Sequence, residues 1–296
     1  MSERLWRQLD DWLGRQPVIV ASVLAASGAT PRRAGSRMLI TTEACAFSIG
    51  GGLAEARVIA AARALLASGG AADELAIDLT GRAHSAGVCG GQMRIGLRRF
   101  AGPDDRASIA AVVASLGAGR RAELPGPGPT GADGHWLQPD PRLLISGAGH
   151  CGLALYHATR ALDFDLWVHD TRPGCFAGDA FAEAECLCGE AALLARAWDS
   201  ERAVYAVLLN RDFHADLAVL AALAGRPLAY LGMMGSQRRI AEVRERLAAS
   251  GLTLPELHAP VGIEIDAETP AEIAISIAAE LIAVRRMGRA QRPSTA

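Results

Sequence analysis

The second half of the sequence alternates short apolar runs with longer stretches of helical periodicity, and this alternation restricts the fold more than any other feature. The pattern predicts strands over Arg142–Ser146, Leu166–His169, Ala203–Leu209 and Leu228–Leu231. Helices are expected over His150–Leu162, Ala215–Ala224, Gln237–Ala249 and Ala271–Arg285. Apolar strands that alternate with helices mark a parallel sheet covered on both faces. The last helix signals its own start, because Thr269, Pro270 and Glu272 fall at the N-cap, N1 and N3 positions of a capping box.

The first half reads differently. Leu5, Trp6, Leu9, Trp12 and Leu13 recur at helical spacing and predict an opening amphipathic helix. Strands are expected over Val18–Leu24, Arg37–Ile40, Leu75–Leu79 and Gln92–Leu97, and helices over Leu53–Ala67 and Ser108–Leu116. That mixture is an α+β domain of modest size. Between the halves, Gly117–Pro141 breaks the pattern. Its run Leu124-Pro125-Gly126-Pro127-Gly128-Pro129-Thr130-Gly131 lacks amide donors at each proline and carries extra backbone entropy at each glycine, so it reads as a linker without regular structure. The expected class is α/β, organised as an N-terminal α+β domain (1–116), a Gly/Pro-rich linker (117–141) and a Rossmann-like domain (142–296). No internal repeat is visible.

Composition removes several chemistries. The 296 residues include 30 basic ones, and every one is arginine. There is thus no lysine for a Schiff base, a phosphate-binding P-loop or a kinase-type ion pair. Genomic base composition explains the bias, since the chain also has a single asparagine, Asn210. A net charge of −2 argues against a general nucleic-acid binder, which needs a basic excess. No run approaches the roughly 20 apolar residues of a membrane span. The apolar stretch Pro17–Ala26 follows Asp10 and Asp11 and leads into Thr30-Pro31-Arg32-Arg33, which suits a buried strand better than a secretory signal. Six cysteines in a chain of this length do not form a small disulfide scaffold. The expectation is a soluble cytoplasmic protein with reduced thiols, acting on neither nucleic acid nor membrane.

The strongest local motif is Gly147-Ala148-Gly149-His150-Cys151-Gly152, a G-x-G-x-x-G that follows a strand and opens a helix. In a dinucleotide-binding turn the first glycine allows the bend, the second admits a phosphate and the third lets helix and strand pack closely. Amides and helix dipole then favour an anion. Asp170 ends the next strand 18 residues after Gly152, where an acid would hold a ribose hydroxyl. A dehydrogenase would further need a proton-transfer group, and Asp212 or His214 after the following strand is the candidate; helix capping and solvation account for both equally well.

In the first domain, Ser48-Ile49-Gly50-Gly51-Gly52 ahead of a helix is a second candidate anion cradle, or a plain tight turn. His84-Ser85-Ala86-Gly87-Val88-Cys89-Gly90-Gly91 presents Cys89 between glycines, where a thiolate suits molybdenum or sulfur chemistry. A lone cysteine is otherwise a small buried hydrophobe. Arg32, Arg33 and Arg37 would clamp a phosphate or form a solvated loop. Cys186 and Cys188 share one face of any strand, but the further ligands of a zinc site are missing.

Taken in order, further stretches complete a recognisable set: Gly28-Ala29-Thr30-Pro31-Arg32 with Gly35 and Met38; Gly50-Gly51-Gly52 with Glu55; Cys89-Gly90-Gly91; the Gly147–Gly152 turn; Asp170 with Arg172-Pro173; Leu231-Gly232-Met233-Met234-Gly235-Ser236 with Arg238 and Arg239; and His258-Ala259-Pro260-Val261-Gly262 leading into Ala267–Ala274. With these the chain resembles the xanthine dehydrogenase accessory protein family, the molybdenum cofactor insertion chaperones of xanthine dehydrogenase and related molybdenum hydroxylases. Two positions depart from the family's pattern: Asn210-Arg211-Asp212 stands where Thr-His-Asp is usual, and Val88 replaces the first of two paired cysteines.

The resemblance implies a protein that binds a molybdopterin-type cofactor as transient cargo, protects it, allows its sulfuration by a cysteine desulfurase and delivers it to an apo-hydroxylase. It implies no catalytic residues and favours a maturation factor over an enzyme. The implied cargo contacts are Gly147, Ala148, Gly149, Gly152 and Asp170 for a phosphate or appended nucleotide, with Asp212, Gly235, Ser236 and Arg238. From the first domain they are Arg32, Gly50, Gly51, Gly52, Glu55 and Cys89, the last at the molybdenum or sulfur end. Two alternatives are an NAD(P)-dependent oxidoreductase and a non-catalytic docking module. The apolar helix Ile273–Val284 makes a homodimer a reasonable expectation.

Overall fold

The computed structural model describes residues 3–82, 85–87, 89–127 and 133–287. They divide into two compact units, Met1–Pro139 and Asp140–Ala296.

The first unit is built from helix α1 (Glu3–Leu13), strands β1 (Val18–Ser27), β2 (Arg37–Ile40) and β3 (Cys45–Phe47), helix α2 (Gly52–Ser68), strands β4 (Ala72–Asp78) and β5 (Gln92–Phe100), helix α3 (Gly102–Gly117), and strands β6 (Ala122–Pro127) and β7 (Asp133–Leu137). Five strands form an antiparallel sheet in the order β3-β2-β1-β5-β4. Central β1 is apolar at successive positions, so it buries both faces. Ile19, Ala21 and Val23 pack with Val58, Ala62 and Leu65 of α2, while Val18 and Val20 pack with Trp6, Leu9, Ile109 and Val112 of α1 and α3.

The Gly/Pro-rich stretch departs from its expected irregularity. β6 and β7 pair antiparallel, with Ala122 opposite Leu137 and Leu124 opposite His135, and a register shift before Pro127. Leu124 and Leu137 join the core beneath α1 and α3. Proline is tolerated because a two-stranded ribbon is all edge, where a missing donor breaks no second ladder. The part of this stretch at 128–132 lies outside the described residues, as do His84 and Val88.

The second unit runs β8 (Arg142–Ser146), α4 (His150–Thr159), β9 (Asp165–Asp170), β10 (Glu185–Cys188), β11 (Val204–Leu208), α5 (Phe213–Leu223), β12 (Tyr230–Met233), α6 (Gln237–Ser250), β13 (Leu257–His258) and α7 (Pro270–Met287). Its six strands are parallel in the order β10-β9-β8-β11-β12-β13. In register, Ile145 lies opposite Val168 on one side and Val207 on the other. Leu143, Ile145, Val168 and Val207 face α4 and α7; Leu144, Ala206, Leu208 and Leu231 face α5 and α6. The fold is Rossmann-like α/β. Its order reverses between β8 and β11, and a ligand crevice in such sheets lies beyond the carboxyl ends of the strands at that reversal.

Ile277, Leu281 and Val284 of α7 are spent in this core. Part of the apolar character of Ile273–Val284 is thus taken up within one chain, while Ile275 of the same helix stays exposed. No described helix is long and apolar enough to cross a membrane.

Candidate functional site

A cavity of about 630 Å³ opens at the β8/β11 reversal, lined by Ala148, Gly149, His150, Cys151, Leu153, Arg172, Cys175, Leu209, Arg211, Met234 and Pro270. The three motif glycines play unequal parts there. Gly147 has φ of +110°, and a Cβ on it would lie 2.7 Å from the Leu209 carbonyl carbon. A Cβ on Gly152 would lie 1.9 Å from the Gly147 carbonyl oxygen, so the turn and the helix touch backbone to backbone. Gly149, the N-cap of α4, has nothing within 4 Å of its missing Cβ. Packing dictates the first and third glycines, and only the second faces open space.

Asp170 is nearly buried, and its carboxylate is already engaged. Oδ2 accepts the Ala148 amide at 2.9 Å, Oδ1 accepts the Arg172 amide at 2.9 Å, and the Arg172 guanidinium donates to both oxygens at 2.9 and 2.7 Å. Burial pushes this carboxyl up, but the bonds from Arg172 and Ala148 outweigh it and hold it down at about 2. The residue expected to hold a ribose thus braces the glycine turn. Beside it, burial and the Asp170 charge push the Cys175 thiol up.

A buried polar chain runs under the crevice. His169 Nε2 faces the Gly189 carbonyl at 3.0 Å, which can only accept, so Nε2 carries the proton and Nδ1 accepts from the Ser146 hydroxyl at 3.1 Å. Asn210 Nδ2 donates to Ser146 Oγ at 3.2 Å and to Asp216 Oδ1 at 3.0 Å. Burial pushes the His169 imidazole down and the Asp216 carboxyl up, the latter against the pull of Asn210 and Arg239. Arg239 pairs with Asp216 and donates to the carbonyls of Arg211 at 2.8 Å and Asn210 at 3.1 Å. This clamp fixes the loop after β11. Arg211, which sequence reasoning missed as a site residue, lines the cavity and makes no ion pair among the described residues. Its signal was its place: a cation in the loop that follows β11, the strand at the reversal.

Other expected contacts lie elsewhere. Asp212 is the N-cap of α5, accepting the His214 amide at 3.0 Å; His214 is exposed against Phe213. Ser236 caps α6 through the Arg239 amide at 3.3 Å, Gly235 adjoins the Arg239 side chain, and Arg238 is exposed. None of these five lines the cavity. The His258–Gly262 stretch serves the core: buried Glu280 accepts Tyr230 at 2.8 Å and the Gly262 amide at 2.5 Å, with His258 Nδ1 at 3.2 Å.

The first unit gathers its own loops. A Cβ on Gly50 would meet Pro31 Cγ at 2.5 Å, and one on Gly91 the Ala29 carbonyl oxygen at 2.4 Å. The Gly28–Arg32, Gly50–Gly52 and Cys89–Gly91 stretches therefore meet at one place. The anion cradle there already holds the protein's own carboxylate. Glu55 Oε2 accepts the Ser48 hydroxyl at 2.7 Å and the amides of Ile49 and Gly51 at 3.2 Å each. Cys89 and Arg32 are exposed on this cluster. Arg37 is not available to clamp phosphate; it is buried over the Trp6 ring at 5.3 Å, and burial lowers it to about 10. Cys186 and Cys188 are exposed on β10, and no group of three or more metal-ligating side chains occurs among the described residues.

Comparison with known proteins follows the same division. Residues 143–281 match the family model described as the XdhC Rossmann domain, and residues 12–77 match that of the XdhC and CoxI family. YqeB, an uncharacterized protein of Escherichia coli, is 32% identical over 148 residues, which are 49% of this chain and 27% of that protein. A Bacillus subtilis protein described as a probable subunit of xanthine dehydrogenase is 30% identical over 154 residues, 51% of this chain and 44% of that protein. The match therefore spans less than half the length of either relative. The crystal structure of a Bacillus halodurans protein described as a xanthine dehydrogenase shares the fold, with a TM-score of 0.81 over 100% of this chain and 98% of that one at 22% identity.

Proposed function

The chain belongs to the XdhC and CoxI family, and from that membership we propose that it is a maturation factor for xanthine dehydrogenase or a related molybdenum hydroxylase. In this reading it carries a molybdopterin-type cofactor, shields it while a cysteine desulfurase supplies the terminal sulfur, and releases it to the apo-enzyme. The cargo is an anionic pterin with a phosphate tail and a dithiolene-bound metal.

The observation that most supports this reading is the composition of the second unit's crevice. The open backbone at Gly149, the amide end of α4 and the Arg211 guanidinium, which makes no ion pair among the described residues, offer an anion three kinds of positive partner. Water would be displaced by the apolar walls of Leu153, Leu209 and Met234. The acid–base groups expected for hydride transfer do not serve the crevice: Asp212 and His214 lie outside it and Asp170 is committed to Arg172, while His150, which does line it, is exposed at the first residue of α4. That arrangement suits carriage better than hydride transfer, which needs an acid–base group at the nicotinamide.

Mass spectrometry of ligand released from the purified protein tests the reading. Molybdopterin or its nucleotide form is the expected species. Gly149→Asp puts a carboxylate at the open position and is expected to reduce recovery of the cargo about tenfold or more, with the fold retained. Cys89→Ala tests whether the first unit meets the sulfur end of the cargo: a lowered sulfurated fraction in the presence of a cysteine desulfurase would put that contact at Cys89. Recovery of wild-type cargo from both variants, tight binding of NADH or NADPH without pterin, or no ligand at all would each overturn it. The last outcome points to a docking module.

A further inference from the structure

We infer that the crevice in the second unit reads the soft end of its ligand as well as the anionic end, through Cys151, Cys175 and Met234. The inference rests on the proposed function and narrows it, since it moves the sulfur and metal contact from Cys89 in the first unit to the Rossmann-like unit.

Three sulfur-bearing side chains line this one cavity, and they come from separate elements. Cys151 stands in the first turn of α4, Cys175 in the short 3-10 turn Pro173–Phe176, and Met234 directly after β12. Both cysteines are half-buried and carry no disulfide. The turn that brings Cys175 in is anchored, because the Cys175 amide donates to the Arg172 carbonyl at 3.1 Å and Arg172 is held by Asp170. In the same cavity, Gly149 leaves backbone open and Arg211 projects from a loop clamped by Arg239.

Thiols and thioethers select soft partners, while guanidinium and amides select anions. A bare soft cation satisfies the first set and is repelled by the second. No cluster of three or more histidine, cysteine or carboxylate side chains among the described residues would hold such an ion either. The ligand that answers both sets brings its own metal and ligands: an anion whose metal is bound by sulfur. The contacts are donor–acceptor only and transfer no electrons. A purely structural role is the rival account, because Cys151, Cys175 and Met234 also pack at the edge of the core.

Tetrathiomolybdate is the direct probe, with molybdate, of the same charge but oxygen-ligated, as its comparison. The full chain is alkylated with iodoacetamide and each cysteine followed by peptide mass spectrometry. At a tetrathiomolybdate concentration ten times its Kd, Cys151 and Cys175 are expected to react about tenfold more slowly. Cys45 and Cys186, exposed in other places, keep their rates. Cys151→Ala and Cys175→Ala are expected to weaken retention of tetrathiomolybdate while melting near the wild-type temperature; Cys186→Ala is not.

Unchanged alkylation of Cys151 and Cys175, equal retention of molybdate and tetrathiomolybdate, or indifference to both alanine variants would overturn the inference and leave the structural account. The same footprint with molybdopterin separates it from the wider reading. Protection of Cys89 alone by bound molybdopterin sinks the inference and keeps the maturation role. Protection of Cys151 and Cys175 by tetrathiomolybdate, with no molybdopterin recovered from the protein, does the reverse.

Discussion

Gly147, Gly149 and Gly152 satisfy one sequence motif, yet each answers to a different neighbour. Gly147 and Gly152 meet backbone atoms at 2.7 and 1.9 Å from where a Cβ would stand, whereas Gly149 meets nothing within 4 Å. Backbone cannot yield as a flexible side chain does, so Gly147→Ala and Gly152→Ala are expected to cost about 3 kcal/mol or more in urea denaturation. Gly149→Ala should cost about 1 kcal/mol or less, as for an N-cap glycine, while weakening ligand retention. Equal costs at the three positions would remove the case for an open second glycine. Asp170 gives a complementary test through acid. Its folded carboxyl ionises at about 2, below the roughly 3.9 of an unfolded aspartate, so the unfolded chain takes up the proton first. The stability it contributes is complete above about pH 4 and is lost as pH falls towards about 2. Asp170→Asn should therefore cost about 1 kcal/mol near neutrality and flatten the acid limb of the stability profile; the figure is small because the Arg172 side chain is 64% exposed. An unchanged acid limb would show that Asp170 does not brace the turn.

The elements that sequence revealed are those whose periodicity is set by burial. β8 and β11 are buried at every position, and both stand close to their expected bounds. β10 buries Leu187 alone and β13 is two residues long, so neither carries a period to read. The capping box at Thr269 was legible because it is local: Glu272 accepts the Thr269 amide at 2.8 Å and Thr269 Oγ1 accepts the Glu272 amide at 3.3 Å. The site was half legible for the same reason. The glycine turn is local, but the commitment of Asp170 to Arg172, the Glu55 carboxylate inside the Gly50–Gly52 loop, and the convergence of cysteines on one cavity come from the tertiary fold. The β6–β7 ribbon is the clearest failure, because Gly and Pro composition says nothing of Leu124 and Leu137 between them. Leu137 is fully buried under α1 and α3. Leu137→Ala is thus expected to destabilise the first unit by about 2–5 kcal/mol, read by urea denaturation. A cost below about 0.5 kcal/mol would return the segment to the status of a linker.

Across the whole molecule, the absence of lysine places every cationic task on guanidinium, and those tasks differ in how far they need its shape. Arg142 uses the full fork: Nε donates to Asp165 at 2.7 Å, Nη1 to the Ala197 carbonyl at 2.9 Å, and the plane lies over the Trp167 ring with the centroid at 3.9 Å. A lysine at that buried position offers one point charge and loses both the stack and the second bond. Arg239 likewise spans Asp216 and two loop carbonyls. Arg238 is exposed and pairs with nothing among the described residues, so a charge of either shape serves there. If base composition alone put arginine everywhere, substitution by lysine would be uniformly mild. The structure instead requires a graded response. Arg142→Lys is expected to cost about 2–4 kcal/mol in urea denaturation, and Arg238→Lys no more than about 0.5. Arg211→Lys should leave stability alone, yet retain an anionic ligand less well than wild type and better than Arg211→Ala, since the charge survives and the fork does not. A uniform response across these three positions would make the arginine bias a matter of composition only, and would withdraw Arg211 from the crevice's anion-binding surface.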